Sequence, residues 1–146
     1  MVQRDSVPLL LAGTVLLSLE MACAVNDAAY RDEGQSFVDS SVQAIATNWN
    51  ADELVKRADP RFLDALPEPK ARQMIADISK ELGPLKHATP QLTTVGYNLG
   101  AWSGKGAQDV IRLECAKGTA TLVVVAQKAQ DAWRILGFYV NMDAQN

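Results

Sequence analysis

The stretch that most limits what this chain can become is its C-terminal run, Ala132-Trp-Arg-Ile-Leu-Gly-Phe-Tyr-Val-Asn-Met142. Read as a strand, it is apolar on both alternating faces. Trp133, Ile135 and Tyr139 fall on one side, and Leu136, Phe138, Val140 and Met142 on the other. A strand that hides both faces is either central in a sheet covered on each side or part of an interface between chains. The upstream chain is therefore read as whatever covers it.

From Ser36 the pattern is helical, with Phe37, Val38, Val42, Ile45, Ala46 and Trp49 recurring at three- and four-residue spacing. The polar residues 25–35 before it read as a flexible lead-in. A second helix opens at Asn50 or Ala51, has Asp52 and Glu53 in the first turn where the dipole favours anions, and stops before Pro60. Asp59 to Pro67 reads as one helical turn between prolines, anchored by Phe62, Leu63 and Leu66. A third helix begins at Pro67 or Glu68, sets Met74, Ile75, Ile78 and Leu82 on one face, and ends at the stop signal Gly83-Pro84. The period then changes to two. Strands are expected at Leu92–Leu99, Asp109–Ala116 and Thr119–Gln127 before the final one, with a glycine-rich loop over Gly100–Gln108 and a tight turn at Lys117-Gly118. This order predicts an α+β domain, three N-terminal helices packed on one face of a curved antiparallel sheet of about four strands.

The 146 residues suit one domain, and 48% apolar with 21% charged is the balance of a globular one. A net charge of -3 argues against nucleic acid as a partner, since phosphate contacts need a basic surface. Val7 to Leu19 is an apolar run too short for the ~20 residues of a membrane-spanning helix, but suited to the core of a secretory signal. Ala22 and Ala24 occupy the small-residue positions of a cleavage site. Residues 1–24 are thus read as a signal peptide, 36–142 as the domain, and the mature protein as periplasmic or secreted. Cys23 offers a lipoprotein alternative, against which the bulky Met21 and Glu20, at the usual Leu position, both count. Cys115 lies in an apolar strand and reads as a small buried hydrophobe.

Phe37 and Trp49, the Asp59-Pro-Arg-Phe-Leu turn and the ending Trp133-Arg-Ile-Leu-Gly-Phe-Tyr-Val together resemble the nuclear-transport-factor-2-like (cystatin-like cone) superfamily. The likeness is strongest to its small uncharacterised exported bacterial members and spans about Ser36 to Asn141. Its motifs are packing residues, so it implies a fold far more than an activity. It implies a cone-shaped sheet wrapped on helices, often dimeric, with a cavity between them. Gly137 fits that picture, because a glycine inside a strand often marks a bend or bulge. The superfamily's enzymes, of the ketosteroid-isomerase and dehydratase kind, place Asp, Tyr or His inside the cone.

The candidate chemistry is thin. His87, the single histidine, reads as a surface or edge residue at the start of the sheet. One histidine with one mature cysteine leaves no zinc ligand set, and no cofactor is expected. Gly104-Lys105-Gly106 lacks the spacing, the following Ser or Thr and the following helix of a phosphate loop. Strand parity turns Tyr97 inward with Val95 and Leu99, its hydroxyl needing a partner. The same parity places Asp109 with Ile111 and Leu113 at a pocket rim. These two are the candidate ligand-pocket residues. An isomerase- or hydratase-type enzyme would use Asp109 as proton-shuttling base and Tyr97 as donor to an oxyanion. The plainer reading makes Tyr97 a satisfied core tyrosine and Asp109 a turn residue before the strand.

Two titratable groups converging in a closed cavity would favour the enzyme, and an apolar cavity a binder. The sparse inward ionisable residues favour a non-catalytic binding or interaction module, for a small apolar molecule or an envelope protein. A homodimer is expected as well. The row Val123, Val125, Phe138 and Val140, left in water, would be a larger apolar patch than monomers usually expose, and two copies back to back would bury it.

Overall fold

The computed structural model describes residues 9–97 and 103–144, with side chains from Asp27 onward. Four helices precede four strands: α1 (Leu9–Ala46), α2 (Ala51–Arg57), α3 (Pro60–Ala65), α4 (Glu68–Leu82), β1 (Leu85–Tyr97), β2 (Lys105–Cys115), β3 (Thr119–Ala129) and β4 (Ala132–Met142). The strands form one antiparallel meander in the order β1-β2-β3-β4. The expected α+β arrangement is therefore the one observed, with α3 as the helical turn between the prolines. Among the described residues no helix is long and apolar enough to cross a membrane.

Local chemistry sets the helix ends. Asn50 caps α2 by accepting a hydrogen bond from the Asp52 N–H at 3.0 Å, and Asp59 caps α3 by accepting from the Arg61 N–H at 2.9 Å. Pro60 follows at the first helical position, where its missing N–H costs nothing. Gly83 ends α4 at φ 68°, in the left-handed region that favours glycine. Trp49 also lies at positive φ just past α1, and its Nε1 donates to the Gly83 carbonyl at 2.6 Å. One indole thus ties the ends of α1 and α4 together.

The core lies between the helices and the concave sheet face. Val38, Val42 and Ile45 of α1, Leu54 of α2, Phe62 of α3 and Ile75, Ile78 and Leu82 of α4 meet Ile111, Leu113, Leu122, Val124, Ile135 and Phe138. Each such side chain removed from water contributes roughly 1.5–3 kcal/mol of gross burial energy.

Two sequence expectations are corrected here. Residues 25–35 are not a flexible lead-in; they belong to α1. Tyr30 and Gly34 extend the apolar stripe upstream of Phe37 and Val38 at the same helical spacing. The Tyr30 hydroxyl donates to the Lys105 carbonyl at 2.9 Å, and its ring lies 4.7 Å from that of Trp133. A Cβ on Gly34 would come within 2.9 Å of the Trp133 ring and 3.0 Å of the Ala107 Cβ, so glycine sets how closely helix and sheet approach. Asp27–Lys105 and Glu33–Lys128 ion pairs, both 2.7 Å, flank this contact.

The second correction is β4. Val125 pairs with Gly137 and Ala126 with Ile135, so Leu136 is an extra residue, a bulge. Parity shifts by one across it. Ile135 before the bulge and Phe138 after it both enter the core, with Trp133 and Val140 packed against that core. The expected outward row therefore does not exist: Phe138 is 3% exposed, Val140 packs inward, and Val125 is buried. What remains outward is a single rung, Leu92–Val110–Val123–Tyr139, running across all four strands.

Candidate functional site

β2 carries the one buried acid that the inward parity singled out. Ala107, Asp109, Ile111, Leu113 and Cys115 all face the helices, and Asp109 is only 2% exposed. It lies deeper than the rim position expected for it. Thr93, its cross-strand neighbour on β1, donates from Oγ1 to Asp109 Oδ1 at 2.6 Å. Asp109 Oδ2 is buried and has no hydrogen-bond partner among the described residues. Burial pushes the Asp109 carboxyl above the ordinary carboxylate range; the Thr93 hydroxyl opposes this, and the negative charge of Asp39 adds to it.

Asp39, on α1, is the second acid of this region, and its own pKa is raised by desolvation. It follows Val38 on the helix but turns to the cleft side. A cleft of about 260 Å³ runs there between α1 and the sheet, lined by Asp39, Val42, Gln43, Ala88, Pro90 and Ile111. Asp39 and Gln43 are exposed, so the cleft opens to solvent at their end. Ile111 at its floor is the next inward position along β2 from Asp109. The cleft is thus mostly apolar, with one carboxyl lining it and a second adjacent to it.

Tyr97 does not join this site. It is the last residue of β1, pairs with Lys105, and is 73% exposed. Thr93, not Tyr97, is the residue opposite Asp109, and the four positions from Thr93 to Tyr97 amount to about 13 Å of strand. The sequence-based inward placement of Tyr97, and its pairing with Asp109 as base and oxyanion donor, are corrected accordingly. Parity gave the face correctly for Asp109 but could not tell that Tyr97 stands where the strand ends.

The other candidates lie elsewhere. His87 is exposed on β1 opposite Glu114. Cys115 is a buried free thiol at the far end of β2, its pKa raised by burial. Lys105 reaches Asp27, not an anion site. A further hollow of about 520 Å³ beside the β3–β4 turn includes Asp59 and Arg134. Its charges are answered from within: Arg61 Nε contacts Asp59 Oδ1 at 2.9 Å and holds that carboxyl below its usual range, and Arg134 donates to the Lys56 carbonyl at 3.2 Å. No group of three or more His, Cys, Asp or Glu is placed to hold a metal among the described residues.

Asp39 carried no signal in the sequence beyond being a helical polar residue next to the apolar stripe. Only its position over the β1–β2 ladder makes it part of the cleft. Compared with protein-family models, with curated proteins and with solved structures, the chain matches none.

Proposed function

We propose that this protein is a non-catalytic binding module of the cell envelope, whose α1–β1–β2 cleft holds a small, largely apolar molecule bearing one polar group. The observation that carries the reading is Asp109 Oδ2, a buried oxygen next to that cleft with no partner among the described residues. Leaving such a group unpaired costs on the order of 1–3 kcal/mol, which a ligand hydrogen bond would recover. With the carboxyl protonated, Oδ2 is a donor; ionised, it is an acceptor for an amine or hydroxyl. The volume of 260 Å³ lies just below the roughly 300–1,000 Å³ of sites for drug-sized ligands, which restricts the occupant to something smaller.

The enzyme alternative has lost its donor, because Tyr97 is far along the strand and in solvent. Export through residues 1–24, and the superfamily resemblance, remain part of this proposal and rest on the sequence features described above. Native mass spectrometry of the protein after incubation with a small-molecule extract of cells tests it. A bound mass is expected on the wild type and should be lost on Ile111→Trp, which fills the cleft floor. Retention of that mass by the folded variant would place the ligand elsewhere.

A further inference from the structure

We infer that the open edge of β4 is a self-association site, where two copies pair Phe138–Met142 antiparallel across a twofold axis with α4 of each flanking the seam. Five consecutive residues, Phe138 to Met142, line a groove of about 580 Å³ together with one face of α4. Successive residues of a strand point to opposite faces, so a groove touched by five in a row borders the strand's edge and its main-chain groups. β4 is the last strand of the sheet. Its outer edge is engaged at its beginning, where the Asp59 N–H donates to the Ile135 carbonyl at 2.8 Å and Ala58 makes a parallel bridge to Ile135. Among the described residues no further main-chain hydrogen bond reaches that edge between Phe138 and Met142. An open edge of this kind is a template for another strand.

The opposite edge of the sheet is built differently. β1 contains Pro90, which has no N–H to offer, and exposed Lys86 and His87. Its register with β2 is irregular between Leu85 and His87 and again between Pro90 and Leu92. These are the features that discourage strand addition. A β4-to-β1 contact would in any case propagate without closing, whereas β4-to-β4 closes on itself.

The charges on α4 select a second copy as the occupant. Lys70 and Asp77 both line the groove, are both exposed, and lie seven positions apart, about two helical turns. The α4 wall from Lys70 to Ile78 is about 12 Å long, close to the ~13 Å of β4 from Phe138 to Met142. A twofold axis through the middle reverses one copy against the other and brings each Lys70 toward Asp77 of the partner subunit. Met74, Ile78, Phe138 and Val140 would lie between the two charge pairs. Lys70 forms no ion pair among the described residues, so this cation is available for the pairing.

Sedimentation equilibrium of the full chain across micromolar concentrations, with charge reversals, is the test. The wild type is expected to be a closed dimer. Lys70→Asp alone and Asp77→Lys alone should each weaken dimerisation by about tenfold, because two symmetric attractions become repulsions. The double variant should return to within about threefold of wild type, a rescue that only a reciprocal pairing gives. A monomer throughout, open-ended assembly, or a double variant no better than the singles would overturn the inference. So would a dimer that ignores these reversals and dissociates on Val123→Asp, since the seam would then lie on the outer rung.

Discussion

Along β2 the side chains alternate without interruption, from Ala107 through Asp109, Ile111 and Leu113 to Cys115 on the helix side. β4 is equally long and packs against the same core, yet it alternates only as far as Ile135, inserts Leu136, and resumes with Phe138 inside. β2 therefore needs one buried face and exposes the other, while β4 brings two sets of apolar residues, of opposite parity, to one face. The difference teaches that a strand apolar on both parities need not have two buried faces. One extra residue moves the second set around to join the first, at the cost of an unpaired position in the ladder. Tyr139 then stands outward, and its ring lies over Gly137, where a Cβ would come within 2.7 Å of it.

Inserting one alanine between Gly137 and Phe138 is the most direct way to break this contrast. The added residue shifts parity once more beyond the bulge, and would turn Phe138 and Val140 to solvent and bring Tyr139 inward. Losing a buried Phe alone costs roughly 3–5 kcal/mol, against the ~5–15 kcal/mol that holds a domain folded. The expected outcome is loss of the cooperative urea transition; a retained midpoint would show that the bulge does not orient the strand. Next in size, Phe138→Ala should destabilise by about 3–5 kcal/mol, whereas Tyr139→Ala, at a residue 51% exposed, should cost no more than about 1 kcal/mol. Equal shifts in the urea midpoint would return the strand to two equivalent faces.

Asp109→Asn sharpens the β2 side with a smaller effect. The folded pKa of Asp109 is raised, so the folded state holds its proton at pH values where the unfolded chain has released it. The contribution of this carboxyl to stability is fully present below the ordinary carboxylate range and is lost as pH rises through the raised folded value. Stability of the wild type relative to Asp109→Asn should therefore fall as pH rises over that window. Above it, the variant should be the more stable by about 1–3 kcal/mol. Denaturant midpoints of both proteins from acid to neutral pH check this, and a pH-independent difference would mean that Asp109 titrates as it does in the unfolded chain.

Much of the architecture was legible in the sequence because local chemistry and tertiary packing agree there. Pro60, Pro67 and Gly83-Pro84 punctuate the helices, and the alternation from Val110 to Cys115 marks β2 and the inward position of Asp109. Legibility failed where a tertiary fact decides. Gly137 signalled a bend in β4 but not the parity change next to it. Tyr97 had the correct face and the wrong environment, because alternation tells orientation and not whether anything lies above. Tyr30 and Gly34 were hidden among Asp27, Arg31, Asp32 and Glu33, charges that read as a solvated lead-in until Lys105 and Lys128 are seen opposite two of them. Within the candidate site, Asp109 was found and Asp39 was not, for the same reason.

The unbroken course of α1 from Leu9 to Ala46 has a consequence for the cleavage proposed after Ala24. Cutting the chain after Ala24 would create a new helix start in what had been helix interior. The fresh ammonium on Val25 would face the positive end of the peptide dipoles, an unfavourable meeting of like charges. Asp27 lies within the first turn of that shortened helix, so a carboxylate already stands where a new amino terminus would need one. Tyr30, little more than a turn further in, would fasten the new end to the sheet before it could fray.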